Sequence, residues 1–254
     1  MVSVIGRSFS ENLLLSVSHF DPPDLKRALK EMVAAYESLF KSTRQRSYRD
    51  IGMSLEKKFP AEVEAEAKEQ CEKALLIAKK IGAHRFEPVN QDVLSKILAV
   101  ESNHNDVMTM INEAIATDRE IGFKFSGPMT LGALSMLADD PETREKSVAE
   151  GEMILKQECV SHNYLCFYRD AIDACLNAGD WGGVERFATA AEIYTDEQQL
   201  PWMDLRIRRG RALEKWGQNG QDSKVATELE DIRQTAISVN FNTIVPMIDA
   251  VLAN

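Results

Sequence analysis

The amino-acid sequence predicts an all-α protein, a right-handed array of antiparallel helix hairpins stacked as an α-solenoid. Three observations predict it. Aromatic residues make up only 7% of the chain, while Ala, Leu, Glu and Lys abound and Gly and Pro sit mainly in short spacers, which is a helix-forming composition. CEKALLIAKKIG, ending at Gly82, lines up with INEAIATDREIG, ending at Gly122, a recurrence of about 40 residues; both read as the second helix of a hairpin closed by a glycine. Apolar residues keep helical spacing, as in Leu94, Ile97 and Leu98, in Met108, Ile111 and Ile115, and in Val184, Phe187, Ala188 and Ala191, so each helix carries one stripe to bury.

The elements follow in order. Ser10 can cap a short helix through Leu15, Pro22 and Pro23 break the chain, and LKRALKEMVAAYESLFKS has an amphipathic helical pattern. Residues 1–60 are therefore expected to form a small helical segment, and residues 61–254 the repeats. Turn signals recur at Asn103 to Asn105, Asp139-Asp140-Pro141, Gly179-Asp180 and Gly217 to Gly220. Asp140 fits a helix N-cap with Pro141 at the first helical position, and Asp180 before Trp181 fits a similar start. Ala171, Ala174, Ala178, Ala188 and Ala191 allow close approach of neighbouring helices. A lone hairpin cannot bury its own face, so the hairpins must stack. Trp181, Trp202 and Trp216 are read as packing anchors, with an exposed Trp202 beside Pro201 favouring a binding role. A last helix is expected to begin near Pro246. Almost no β structure is expected.

Composition also bounds function. A net charge of −10 and a pI near 5.0 repel a phosphate backbone, and no long Lys/Arg tract offsets this, so nucleic acid is not an expected partner. No apolar run approaches the roughly 20 residues that span a bilayer, and Glu11 interrupts any signal-peptide pattern; no membrane association and a cytoplasmic location are expected. The four cysteines do not suggest a disulfide scaffold, and reduced thiols are expected.

The segment LNAGDWGGVERFATAAEIYT has the shape of a tetratricopeptide hairpin, with a small-residue turn and an Ala/aromatic second helix. More widely, CVSHNYLCFYRDAIDACLNAGDWGGVERFATAAEIYTDEQQLPWMDLRIRRGRALEKWG resembles the C-terminal helical-repeat region of bacterial multidomain adenylate/guanylate cyclase-like proteins, from about residue 127 to the end. VIGRSFSENLLLSVS resembles the start of the winged-helix segment that follows their ATPase module, and AYESLFKSTRQRSYRDIGMSLEKKFP the helical arm after it. The chain departs from that pattern in the short spacer HFDPPDLKRALKEMV and in repeats that look missing between Gly82 and Gln91, as in a shortened relative. The family's cyclase and ATPase activities do not carry over: no mixed α/β cyclase fold can be read, and no G-x-x-x-x-G-K-[ST] phosphate loop is present. H-E-x-x-H and G-x-S-x-G are also missing. No catalytic residues, metal or cofactor are expected, and the chain is read as not an enzyme.

Candidate sites compete with plainer readings. Cys159, His162 and Cys166 have C-x2-H-x3-C spacing, with Cys175 as a fourth soft ligand for zinc; the favoured reading is small buried thiols and a packing histidine. Tyr164, Tyr168, Arg169 and Asp173 fall where one side of a first helix could face a groove, with Asp170 adding acceptor capacity; Arg169 and Asp173, at i and i+4, equally suit a surface ion pair. LRIRRGRALEKWG puts Arg206 and Arg209 on one helix face and Arg208 and Arg211 on another, which suits a local anion or acidic-peptide site, although a solvated face is the favoured reading. The expected partner-binding residues are therefore Tyr164, Tyr168, Arg169, Asp173, Trp202, Arg206 and Arg209. The expected function is a non-catalytic interaction or regulatory module that binds a protein or peptide on a helical-repeat face. The alternatives are an accessory or sensor of a cyclic-nucleotide signalling system, on the resemblance alone, or a decayed remnant. The sequence sets no oligomeric state.

Overall fold

The structure, a computed structural model, describes residues 2–4, 7–9, 60–100, 104–220 and 222–253. The chain divides into two units, residues 1–58 and 59–254. In the first, β1 (Val2–Val4) pairs antiparallel with β2 (Arg7–Phe9), Val2 opposite Phe9 and Val4 opposite Arg7. The helix expected from Ser10 to Leu15 and the amphipathic helix over residues 25–42 lie outside the described residues.

The second unit is all-α. Its helices are α1 (Pro60–Ile81), α2 (Glu87–Val100), α3 (His104–Ile121), α4 (Gly127–Leu137), α5 (Pro141–Leu155), α6 (Ser161–Ala178), α7 (Trp181–Thr195), α8 (Pro201–Asn219), α9 (Ser223–Ser238) and α10 (Val245–Leu252). Each packs on the next in sequence, and α2 also packs on α4, α4 on α6 and α6 on α8. The even-numbered helices α2 to α8 thus form a contiguous row. No helix among the described residues is long and apolar enough to cross a membrane.

Local chemistry explains the boundaries. α1 and α3 end at Gly82 and Gly122, whose φ values of +69° and +95° are ones a Cβ disfavours, so glycine stops both helices. Asp140 accepts the Thr143 amide at 2.8 Å and Asp180 the Gly183 amide at 3.0 Å, the expected N-caps; Asp222 does the same for Lys224 at 2.8 Å. Pro246 stands in the first turn of α10, where its missing N–H costs nothing. The turn expected over Gly217 to Gly220 falls at the far end of that stretch: α8 runs through Gly217 and stops at Gly220. The ring of Trp181 lies so close that a Cβ on Gly217 would come within 2.3 Å of it, so this glycine serves helix packing and the turn falls three residues later.

The core lies in three successive layers. Ile111, Ala114, Leu131, Leu134 and Ile154 fill the space among α3, α4 and α5. Phe167, Ile172, Val184, Phe187 and Met203 fill that among α6, α7 and α8, and Leu213, Leu229, Ile232 and Ile248 the last. Burial of such side chains, each worth roughly 1.5–3 kcal/mol, holds the layers together. Gly132 brings α4 against α6: a Cβ there would sit 3.1 Å from the Phe167 Cα.

Candidate functional site

A belt of charged side chains crosses the row of even-numbered helices. On α2, Lys96 Nζ lies 2.6 Å from Asp92 Oδ1 and 2.9 Å from Asp170 Oδ2 of α6. Arg169 grips Asp170 through Nε and an Nη, at 2.6 and 2.9 Å, a two-point pairing that fits the planar guanidinium. One turn along α6, Asp173 accepts from Arg206 of α8 at 3.1 Å and also from Arg209. Arg206 further donates to Thr243 Oγ1 at 3.4 Å and lies 5.3 Å from the centre of the Phe241 ring.

The belt is mostly out of water. Asp170 and Arg209 are 1% and 2% exposed, Asp92 3% and Arg206 9%, while the Lys96 and Arg169 side chains reach solvent at 22% each. Burial alone would raise the Asp170 carboxyl, but Arg169 and Lys96 overcome it and hold the group at about 2. Asp92 is pushed up, first by burial and then by the Asp170 charge, against Lys96. Burial brings Arg206 and Arg209 down to about 10, with a further push on Arg206 from the Arg169 charge. Among the described residues, four cations therefore face three carboxylates. The Nε atoms of Arg206 and Arg209 are buried and find no acceptor among the described residues.

These contacts correct two expectations. Arg169 and Asp173 do not pair with each other: Asp170 lies beside the Arg169 guanidinium, and Asp173 turns to α8. Arg206 and Arg209 do not form a solvated face, because Met203, Arg206, Gly210 and Leu213 follow the 3-4-3 spacing of a buried stripe and Met203, Gly210 and Leu213 are buried beside Arg206. Arg208 and Arg211 do lie on the other, exposed side. Arg208 meets Asp231 at 2.8 Å, and Arg211 meets Glu185 and Glu192 at 3.0 and 2.8 Å.

The tyrosines form a separate group. At 100° per residue, Tyr164 and Tyr168 point roughly 100–140° away from Arg169. Tyr164 stacks on Tyr194 with ring centres 4.6 Å apart and donates to the Leu155 carbonyl at 2.8 Å. Tyr168 is half-buried against Phe167 and Tyr194, and burial raises its phenol. Trp202 is half-buried against the Phe167–Phe187–Met203 layer, so it packs as an anchor. The structure thus brings together Arg169, Asp173, Arg206 and Arg209 and leaves Tyr164, Tyr168 and Trp202 elsewhere. Sequence reading missed Asp92 and Lys96, although an acid and a base at i and i+4 beside the buried Leu94 were a visible signal.

The cysteine spacing does not build a metal site. Among the described residues no three His, Cys, Asp or Glu side chains converge as ligands. Cys159 Sγ donates to the Ile154 carbonyl at 3.3 Å, and His162 packs edge-on against Phe125 with ring centres 5.5 Å apart. Cys175 is buried, its thiol pushed up to about 12 by burial and by Asp180; thiols held so far from ionisation are inert. Surface depressions occur along α3 at Asn105, Met108 and Asn112 and between α3 and α5 at Arg119 and Ser147, away from the belt.

Comparison of the chain with known protein families, with curated proteins and with solved structures finds no match. Function is therefore argued from the geometry of this face.

Proposed function

We propose that residues 61–254 form a non-catalytic, tetratricopeptide-like module that binds a partner protein or peptide along the face shared by α2, α6 and α8. The observation that carries this reading is the charge excess of the belt. Each uncompensated buried ion costs several kcal/mol, so a network serving only to hold helices together is expected to balance its charges. This one keeps a surplus cation, with Lys96 and Arg169 at the solvent edge, in a chain whose net charge is −10. A local field opposite in sign to the rest of the molecule steers and orients an acidic partner. The stacked hairpins hold the charged helices in fixed register, which lowers the ordering cost of binding. The resemblance to cyclase-like proteins makes an accessory of cyclic-nucleotide signalling the natural setting for such a partner.

Photo-crosslinking in the host tests the reading. With p-benzoylphenylalanine in place of Ala99, exposed one turn beyond Lys96, a specific partner is expected to be captured; with the same group in place of Arg208 it is not. A folded array that captures nothing from position 99, or captures its partner only from position 208, contradicts the proposal.

A further inference from the structure

The belt has a defined gap in its pairing. Asp173 is a single carboxylate shared by two guanidiniums, Arg206 and Arg209, whereas Asp170 is engaged by both Arg169 and Lys96. No carboxylate among the described residues is left over for the Arg206 Nε–H, which is buried without an acceptor. Burial disfavours the charged Arg206 guanidinium most and the Arg169 charge adds to it, while Asp170, already engaged by Arg169 and Lys96, relieves it only in part. A guanidinium donor buried without an acceptor costs on the order of 1–3 kcal/mol, a cost that one added oxyanion would remove.

We infer that Arg169 and Arg206 form a seat for one carboxylate of an acidic peptide, bound between α6 and α8. The assignment rests on the partner-binding reading above and narrows it to a chemical class. The surplus is a single positive charge, so a monoanionic carboxylate neutralises the belt, whereas a phosphate dianion would leave a buried negative charge behind. Arg206 is suited to the role because Asp173 and Thr243 hold its two Nη groups and Phe241 covers its face, which fixes the free Nε edge before a ligand arrives. Asp173 competes with the ligand for the same guanidinium, so it tunes affinity downward.

The test uses the whole chain, with 15N–1H spectra of arginine Nε–H groups recorded during titration with acetate and, separately, with inorganic phosphate, each at ionic strength matched with chloride. The Arg206 signal, assigned through Arg206→Lys, is expected to shift saturably with acetate and more weakly with phosphate, while the Arg208 and Arg211 signals stay in place. Arg206→Gln is expected to weaken acetate binding by about tenfold, and Asp173→Asn, which keeps one acceptor oxygen for Arg209, to tighten it by about tenfold. A merely structural role for Asp173 gives no such gain. Absence of a saturable shift at Arg206 in the folded wild-type chain overturns the seat, as does equal response of Arg206 and Arg208. Tighter binding of phosphate than acetate overturns the carboxylate assignment. If Asp173→Asn fails to fold, the Arg206→Gln arm decides alone. Loss of the acetate response with retained crosslinking from position 99 would remove the seat and leave the partner reading standing; the reverse would remove the partner and leave an anion site.

Discussion

Helix α8 carries its four arginines on two faces, and the two faces treat the same side chain in opposite ways. Arg206 and Arg209 are buried, share one carboxylate between them and leave an Nε–H each without an acceptor among the described residues. Arg208 and Arg211 lie at the surface, and Arg211 alone has two carboxylates, Glu185 and Glu192, which lift its guanidinium above the ordinary value through their hydrogen bonds. The exposed face is rich in partners where water would have served, and the buried face is poor in partners where water is excluded. Solvated ion pairs contribute little, so the exposed pairs decorate the helical unit, while the buried ones bear on its stability and, in the function proposed above, on partner binding.

The sharpest way to break this comparison is to remove one arginine from each face. Arg209→Ala leaves Asp173 its Arg206 partner but empties a buried site, and the cavity is expected to cost about 2–5 kcal/mol in denaturant unfolding. A loss below about 1 kcal/mol would show that burial does not separate the faces. Gly132→Ala probes the α4–α6 contact that keeps the belt dry: its Cβ would press on the Phe167 backbone, which cannot swing aside, so a cost of about 1–3 kcal/mol is expected together with a weaker acetate response at Arg206.

A third acid sharpens the distinction between burial and pairing. Among the described residues Asp118 has no cation; it accepts from Ser126 at 2.5 Å and Thr130 at 2.8 Å, and burial raises it from 3.8 to about 6. Because its folded value lies above its unfolded one, the native state holds a proton that the unfolded chain releases. Its stabilising contribution is full below about pH 4 and is lost as pH rises through about 6. The stability of Asp118→Asn relative to wild type should therefore improve by about 2 kcal/mol between pH 4 and pH 7, read from chemical unfolding at each pH; a difference that does not change with pH would refute the assignment. The smallest effect is expected on the outer face. Arg211→Ala should cost less than about 1 kcal/mol, and added salt should shrink even that.

How much of this was legible in the sequence follows from how local each interaction is. Gly82, Gly122, Asp140, Asp180 and Pro246 act within a few residues of themselves, so the helix ends they make could be read directly; where the turn falls between Gly217 and Gly220 could not, because the neighbour of Gly217, Trp181, is 36 positions away. The apolar stripe of α7, from Val184 to Ala191, was legible because the helical period alone selects it. The belt was only half legible. The sequence put Arg206 and Arg209 on one face, but their partner Asp173 lies 33 and 36 residues earlier, and no local rule chooses it over the i, i+4 partner Arg169. Spacing alone placed Tyr164 and Tyr168 with Arg169, whereas the packing of α7 draws both rings toward Tyr194.

The most direct measurement is the affinity of the captured partner for wild type, Arg206→Gln and Arg208→Gln by calorimetry in one buffer. The account predicts a loss of about tenfold or more, some 1.4 kcal/mol, for Arg206→Gln and a change within about twofold for Arg208→Gln. Equal losses from both faces, or a loss from Arg208→Gln alone, would contradict it.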